Sequence, residues 1–144
     1  MSVERLTAIH RRYNDEVTSE GKLDLIDTIF APDYVDHVSA SPEVHGLEGI
    51  RAFVGTFRAA FPDARFTVED RIVEGDKLVA RWTMRGTHHG AFAGVPATGK
   101  QVTVTGISIH RFEGDKIHES WDYYDALGLM QQLGAIPQLA QTGA

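Results

Sequence analysis

RFTVEDRIVEGDKLVARWTMRG, residues 65–86, is where the hydrophobic period of this 144-residue chain changes. Upstream of Arg65, apolar residues recur every three or four positions; from Arg65 onward they alternate every second position, as in half-buried strands. The stretch breaks once, at Gly75-Asp76, and a Gly-Asp pair between alternating runs suits a type II′ or related tight turn. It therefore reads as a hairpin of strands near 65–73 and 77–88. Centring it on Gly75-Asp76 sets Asp70 opposite Arg81, which makes either a cross-strand ion pair worth roughly 0.2–1 kcal/mol or two members of a polar site.

Working outward, the same loop returns. VEGDKL (73–78) and FEGDKI (112–117) have the same Gly-Asp centre, so strands are expected near 101–112 and 116–124, with AGVPATGK (93–100) joining the two hairpins. The flanks do not repeat, so this is one turn solution used twice. On the N-terminal side, Val3, Leu6, Ile9, Tyr13 and Val17 predict an amphipathic helix ending near Gly21. Leu23, Leu25, Ile26, Ile29 and Phe30 predict a shorter helix stopped by Pro32, then a brief extended piece, YVDHV (34–38). After the loop SPEVHG, residues Leu47, Ile50, Phe53, Val54, Phe57 and Phe61 predict a third helix closing before Pro62. ALGLMQQL (126–133) predicts a short final helix stopped by Gly134 and Pro137.

Helices followed by a meander give an α+β class: three N-terminal helices packed on a curved antiparallel sheet, with a short C-terminal helix. Such a cone can enclose a ligand cavity. The length fits one domain, residues 1–137, and a flexible tail, 138–144. A net charge of -6 without any Lys/Arg run argues against nucleic acid. The absence of cysteine removes disulfides and thiol chemistry. No stretch is apolar enough for a signal peptide or a membrane span, so the expected location is cytoplasmic, with no membrane partner. There is no HExxH, GxGxxG, P-loop or GxSxG, and no metal or cofactor is expected.

In the second hairpin, an uninterrupted register would set His110 opposite Glu119 and Ser108 opposite Trp121. One face would then collect Val102, Val104, Ser108, His110, Phe112, Ile117, Glu119, Trp121, Tyr123 and, where the strand ends, Asp125. That is the composition of an apolar pocket with a few placed polar groups. Ser120 and Asp122 would face the other way with Ile107 and Ile109 as apolar exceptions. A one-residue bulge would exchange the two sets.

Two readings stand for Asp125. It precedes ALGLMQQL, where aspartate is a preferred helix cap; on the pocket face, beside Trp121 and Tyr123, it would instead be a desolvated general acid/base. His110 is either a polar partner of that aspartate or a satisfied core histidine. His37, His88 and Tyr13 are candidates to line the cavity, each with a structural alternative, and Arg81 and Glu119 are candidates to bind substrate or simply to form ion pairs.

FAPDYVDH (30–37), RGTHHGAFAGVPATGK (85–100) and above all GDKIHESWDYYDALGLMQQLG (114–134) resemble the SnoaL-like polyketide cyclases, or ester cyclases, of the NTF2-like superfamily. The resemblance spans nearly the whole chain. It implies an NTF2-like cone, a homodimer or homotetramer, and a small apolar ligand carrying a carbonyl. It also implies intramolecular aldol condensation in which an aspartate removes the proton next to that carbonyl. Carried onto this sequence, the aspartate falls on Asp125 rather than Asp122 by the motif and by strand parity, a choice that a bulge between them would undo, with His110 and His37 lining the pocket. Two rivals remain within the same fold: a ketosteroid-isomerase-like or epoxide-hydrolase-like enzyme, for which Asp70 and Arg81 supply part of an Asp-Arg-Asp pattern, and a non-catalytic ligand-binding or interaction module.

Overall fold

The computed structural model describes residues 2–137, so the tail expected at 138–144 lies outside the described residues. Helix α1 (Val3–Arg12) starts at Ser2, whose hydroxyl accepts from the Arg5 N–H at 3.0 Å. The coil then widens into a π-helical stretch, Tyr13–Thr18, with Thr18 Oγ1 donating to the Asn14 carbonyl at 2.7 Å. Arg58 closes this end by donating to the carbonyls of Thr18 and Ser19 at 2.9 and 3.0 Å. The second expected helix is much shorter than its apolar pattern implies: a 3-10 turn (Leu23–Leu25) and one α turn, α2 (Ile26–Ile29). Phe30 already belongs to strand β1 (Phe30–Val38) because Pro32 holds the chain extended and a distant strand supplies backbone partners there. Strand β2 (Val44–His45) leads into α3 (Gly46–Ala60).

Strands β3 (Arg65–Glu74), β4 (Lys77–Thr87), β5 (Gln101–Glu113) and β6 (Lys116–Tyr124) fall where the period-two pattern puts them. In both short turns the glycine has positive φ, 61° at Gly75 and 58° at Gly114, and the following aspartate does not, as a type II′ turn requires. Asp70 and Arg81 are paired as expected, 2.7 Å apart and exposed. The sheet order is β2-β1-β6-β5-β4-β3. It is mixed rather than antiparallel, because β1 runs parallel to β6. The helices cover one face of this sheet, with Leu6, Ile26, Ile29, Ile50 and Val54 packed on Leu78, Phe112 and Ile117. Helix α4 (Ala126–Gln132) adds Leu129 to a second cluster with Phe61, Met84 and Val104. No helix among the described residues is long and apolar enough to cross a membrane.

The β5–β6 register differs from the uninterrupted one. Phe112 faces Ile117, but Arg111 then faces Glu119, leaving His118 as an extra residue in a bulge. Beyond it His110 faces Ser120 and Ser108 faces Asp122, so Ser120, Asp122 and Tyr124 turn to the concave side. Glu119, Trp121 and Tyr123 turn to the convex side. The shift matches like with like, since Trp121 now lies opposite Ile109 and Tyr123 opposite Ile107.

Candidate functional site

The concave face and the helices enclose a cavity of about 620 Å³. Phe53, Phe57, Phe66, Trp82, Met84 and Phe92 form its apolar wall; His10, Tyr13, Asn14, Ser108, His110 and Asp122 bring polar groups to it. Alternation along β5 and β6 carries Ser108, His110 and Asp122 to the same side, while the widened turn after α1 brings Tyr13 and Asn14 over them. The Asn14 amide is held by the Phe66 carbonyl at 3.0 Å.

The polar groups form a continuous network. Trp82 Nε1 donates to Ser108 Oγ at 2.9 Å, and Ser108 donates onward to Asp122 Oδ1. Asp122 hydrogen-bonds the carboxyl of Asp36, which receives the Tyr34 hydroxyl. Tyr34 in turn bonds Ser120, and Ser120 Oγ lies 2.6 Å from His110 Nδ1. Asp36 is 1% exposed. Its carboxyl is pushed up to about 9, chiefly by burial and then by Asp122, so at neutral pH it is an acid. Burial also lowers His110, partly opposed by the charge of Asp122, and lowers His10 well below the ordinary histidine range. His10 Nδ1 accepts from Arg71 Nε at 3.0 Å, which leaves the proton of this neutral ring on Nε2. Tyr13, raised by burial and then by the nearby carboxyls, stays a phenol and a donor.

Of the residues singled out in the sequence, the structure brings His110 and Tyr13 to this cavity. Asp125 caps α4, accepting from the Gly128 N–H at 2.9 Å. Together with Arg81, Tyr123 and Ile107 it borders a separate, open hollow of about 460 Å³ on the convex side. His37 is also convex, stacked on Trp121 at 5.5 Å and bridging Glu43 at 2.5 Å and Glu119 at 2.8 Å. Those carboxylates, Glu119 first, raise it. His88 is fully buried behind Phe61, its Nδ1 accepting from the Thr98 N–H at 3.2 Å. Ser108 lies on the pocket face with His110, as the alternation along β5 predicts, whereas Asp36, His10 and Asn14 carry no local signal that groups them with it, and Asp122 lies on the opposite face to the one expected. Pairing Ile107 and Ile109 with the aromatics of β6, instead of treating them as exceptions, is the signal that would have revealed the bulge.

Fold and site together define a cone-shaped α+β protein with a largely apolar cavity and a carboxyl pair at its polar end. The model of the SnoaL-like polyketide cyclases matches residues 8–133, and the chain belongs to that family. It is 29% identical over 116 residues to a nogalonic acid methyl ester cyclase of Streptomyces nogalater, covering 79% of this chain and 87% of the relative. To an aklanonic acid methyl ester cyclase of Streptomyces peucetius it is 30% identical over 122 residues, covering 83% and 84%. Among solved structures, a Jannaschia protein assigned to the SnoaL-like polyketide cyclases superposes with a TM-score of 0.87 at 26% identity, covering 95% of this chain and 98% of that one.

Proposed function

We propose that the concave cavity is the active site of a polyketide cyclase-type enzyme that closes a ring by intramolecular aldol condensation, with Asp122 as general base and acid. The observation that carries this is the position of Asp122, which reaches the apolar cavity while Ser108 and Asp36 hold it from behind. Asp122 takes a proton from the carbon next to a substrate carbonyl, and the C–H electron pair moves into the enolate. The enolate carbon attacks a second carbonyl of the same molecule, and the new alkoxide takes the proton back from Asp122. Neutral donors at His10 Nε2 and the Tyr13 hydroxyl suit the developing negative charge on oxygen. The aromatic wall suits a flat, largely apolar substrate and keeps water from the enolate.

Asp125, the base expected from the sequence, is disfavoured by this geometry, since its carboxylate is engaged by the start of α4 and borders the convex hollow. The test is turnover of nogalonic and aklanonic acid methyl esters, the compounds in the relatives' names, by Asp122→Asn and Asp125→Asn. Loss of about 10²–10⁴-fold in kcat is expected at Asp122 alone. Loss at Asp125 with Asp122→Asn active would return the role to Asp125, and tight binding without turnover by the wild type would favour the binding-module reading. The expected homo-oligomer is a proposal of the same kind. The outward Ile107, 47% exposed, and Tyr123, 62% exposed, form with Trp121 the apolar face a second copy would cover. Sedimentation equilibrium showing only monomer would remove it.

A further inference from the structure

Asp36 lies on β1, two strands from Ser108, behind Asp122 and outside the cavity lining. Its carboxyl is sealed from solvent, and one of its oxygens, Oδ1, has no hydrogen-bond partner among the described residues. Neither Asp36 nor Asp122 forms an ion pair among those residues. Two touching carboxyls in such a place cannot both hold a negative charge, and one proton has to stay between them. Its location is decided by the other donors. Asp122 receives Ser108 and faces the cavity, while Asp36 receives only Tyr34 and is the more deeply enclosed.

We propose that Asp36 is a positioning residue that keeps the shared proton and donates it to Asp122, so that Asp122 is presented to the cavity as an oriented carboxylate. This rests on the reading of Asp122 as the base. Without Asp36, Asp122 would keep the Ser108 hydroxyl as a donor but lose the second one that fixes its orientation toward the cavity. The remaining titratable groups facing the pair are Tyr34 on the same strand, Tyr13 from the π-helical turn and His110 on β5. Burial raises both phenols and lowers the imidazole, so these three stay neutral around neutral pH and leave the pair's single charge unbalanced.

The experiment is carbon NMR of the aspartate carboxyls against pH in the full chain, with Asp36→Leu and Asp36→Asn alongside the wild type. At pH 7 the Asp36 carbon is expected at the shift of an acid and the Asp122 carbon at that of a carboxylate. Asp36→Leu is expected to move the Asp122 titration upward. With a turned-over ester, it should move the acid limb of the kcat profile by the same amount, with KM little changed. Asp36→Asn, whose amide still donates, should restore the wild-type Asp122 titration; that rescue separates proton-holding from simple packing. An ionised Asp36 at pH 7, or an Asp122 titration unmoved by Asp36→Leu, would overturn the proposal. Because the titrations need no substrate, a protein that shows them but turns over neither ester loses its catalytic reading while the shared proton stands.

Discussion

Keeping Asp36 protonated has a thermodynamic consequence that can be measured without a substrate. In the unfolded chain its carboxyl titrates near 3.8, and in the folded protein near 9. Between those values the native state holds a proton that the unfolded state has released, so stability falls as pH rises, by about 1.4 kcal/mol per pH unit for one proton. The contribution of this group is therefore fully present below about pH 4 and is progressively lost up to about pH 9. From pH 4 to pH 7 the loss amounts to roughly 4 kcal/mol, a large fraction of the 5–15 kcal/mol typical of a domain. Asp36→Asn keeps the shape and a donor but cannot ionise, so it removes this slope. Urea unfolding of both proteins at several pH values from 5 to 8 should show the asparagine variant gaining on the wild type by about 1.4 kcal/mol per unit. Parallel stability curves, or a wild type that gains on the variant as pH rises, would refute a neutral Asp36.

At Gly106, an added Cβ would come within 2.2 Å of the Trp82 ring, which packs on Phe66 at 5.3 Å and donates to Ser108. Gly106→Ala should cost about 1–3 kcal/mol and shift Trp82 fluorescence as the ring leaves Ser108; an unchanged emission spectrum and melting curve would show that the strands absorb the methyl group. Asp125→Ala should lose the cap on α4, about 0.5–2 kcal/mol, a cost to be read from chemical unfolding; turnover should fall by no more than this loss of folded protein explains. His37, raised first by Glu119 and then by Glu43, helps stabilise the folded state below the ordinary histidine pKa, and that help fades as pH rises through the raised value. Proton NMR of the His37 ring should accordingly show a lower titration in Glu119→Gln, and no change would disprove the bridge.

Much of the fold is local enough to be read along the chain. The four long strands follow from alternation, the two tight turns from Gly-Asp, and the buried faces of α1 and α3 from their spacing, because each signal lies within one turn or one hairpin. The site was less legible. His110 and Tyr13 sit on faces that periodicity predicts correctly, and both reach the cavity. Asp122 was misplaced because a bulge at His118 adds one residue and reverses the face of everything after it. Asp36 was invisible for a different reason: its partner is 86 positions away by their numbers, on a strand that pairs in parallel with β1.

What the amino-acid sequence determined by itself was the four long strands with their two tight turns, the buried faces of α1 and α3 and the α+β class they build, since propensity and periodicity act over a few residues; the family was legible separately, in the motifs at 30–37, 85–100 and 114–134. What only the tertiary structure decided was which carboxyl faces the cavity and which keeps the proton. Both depend on the β1–β6 pairing and on one unpaired residue, and burial behind helices, which no local pattern encodes, turns that pairing into a shared proton.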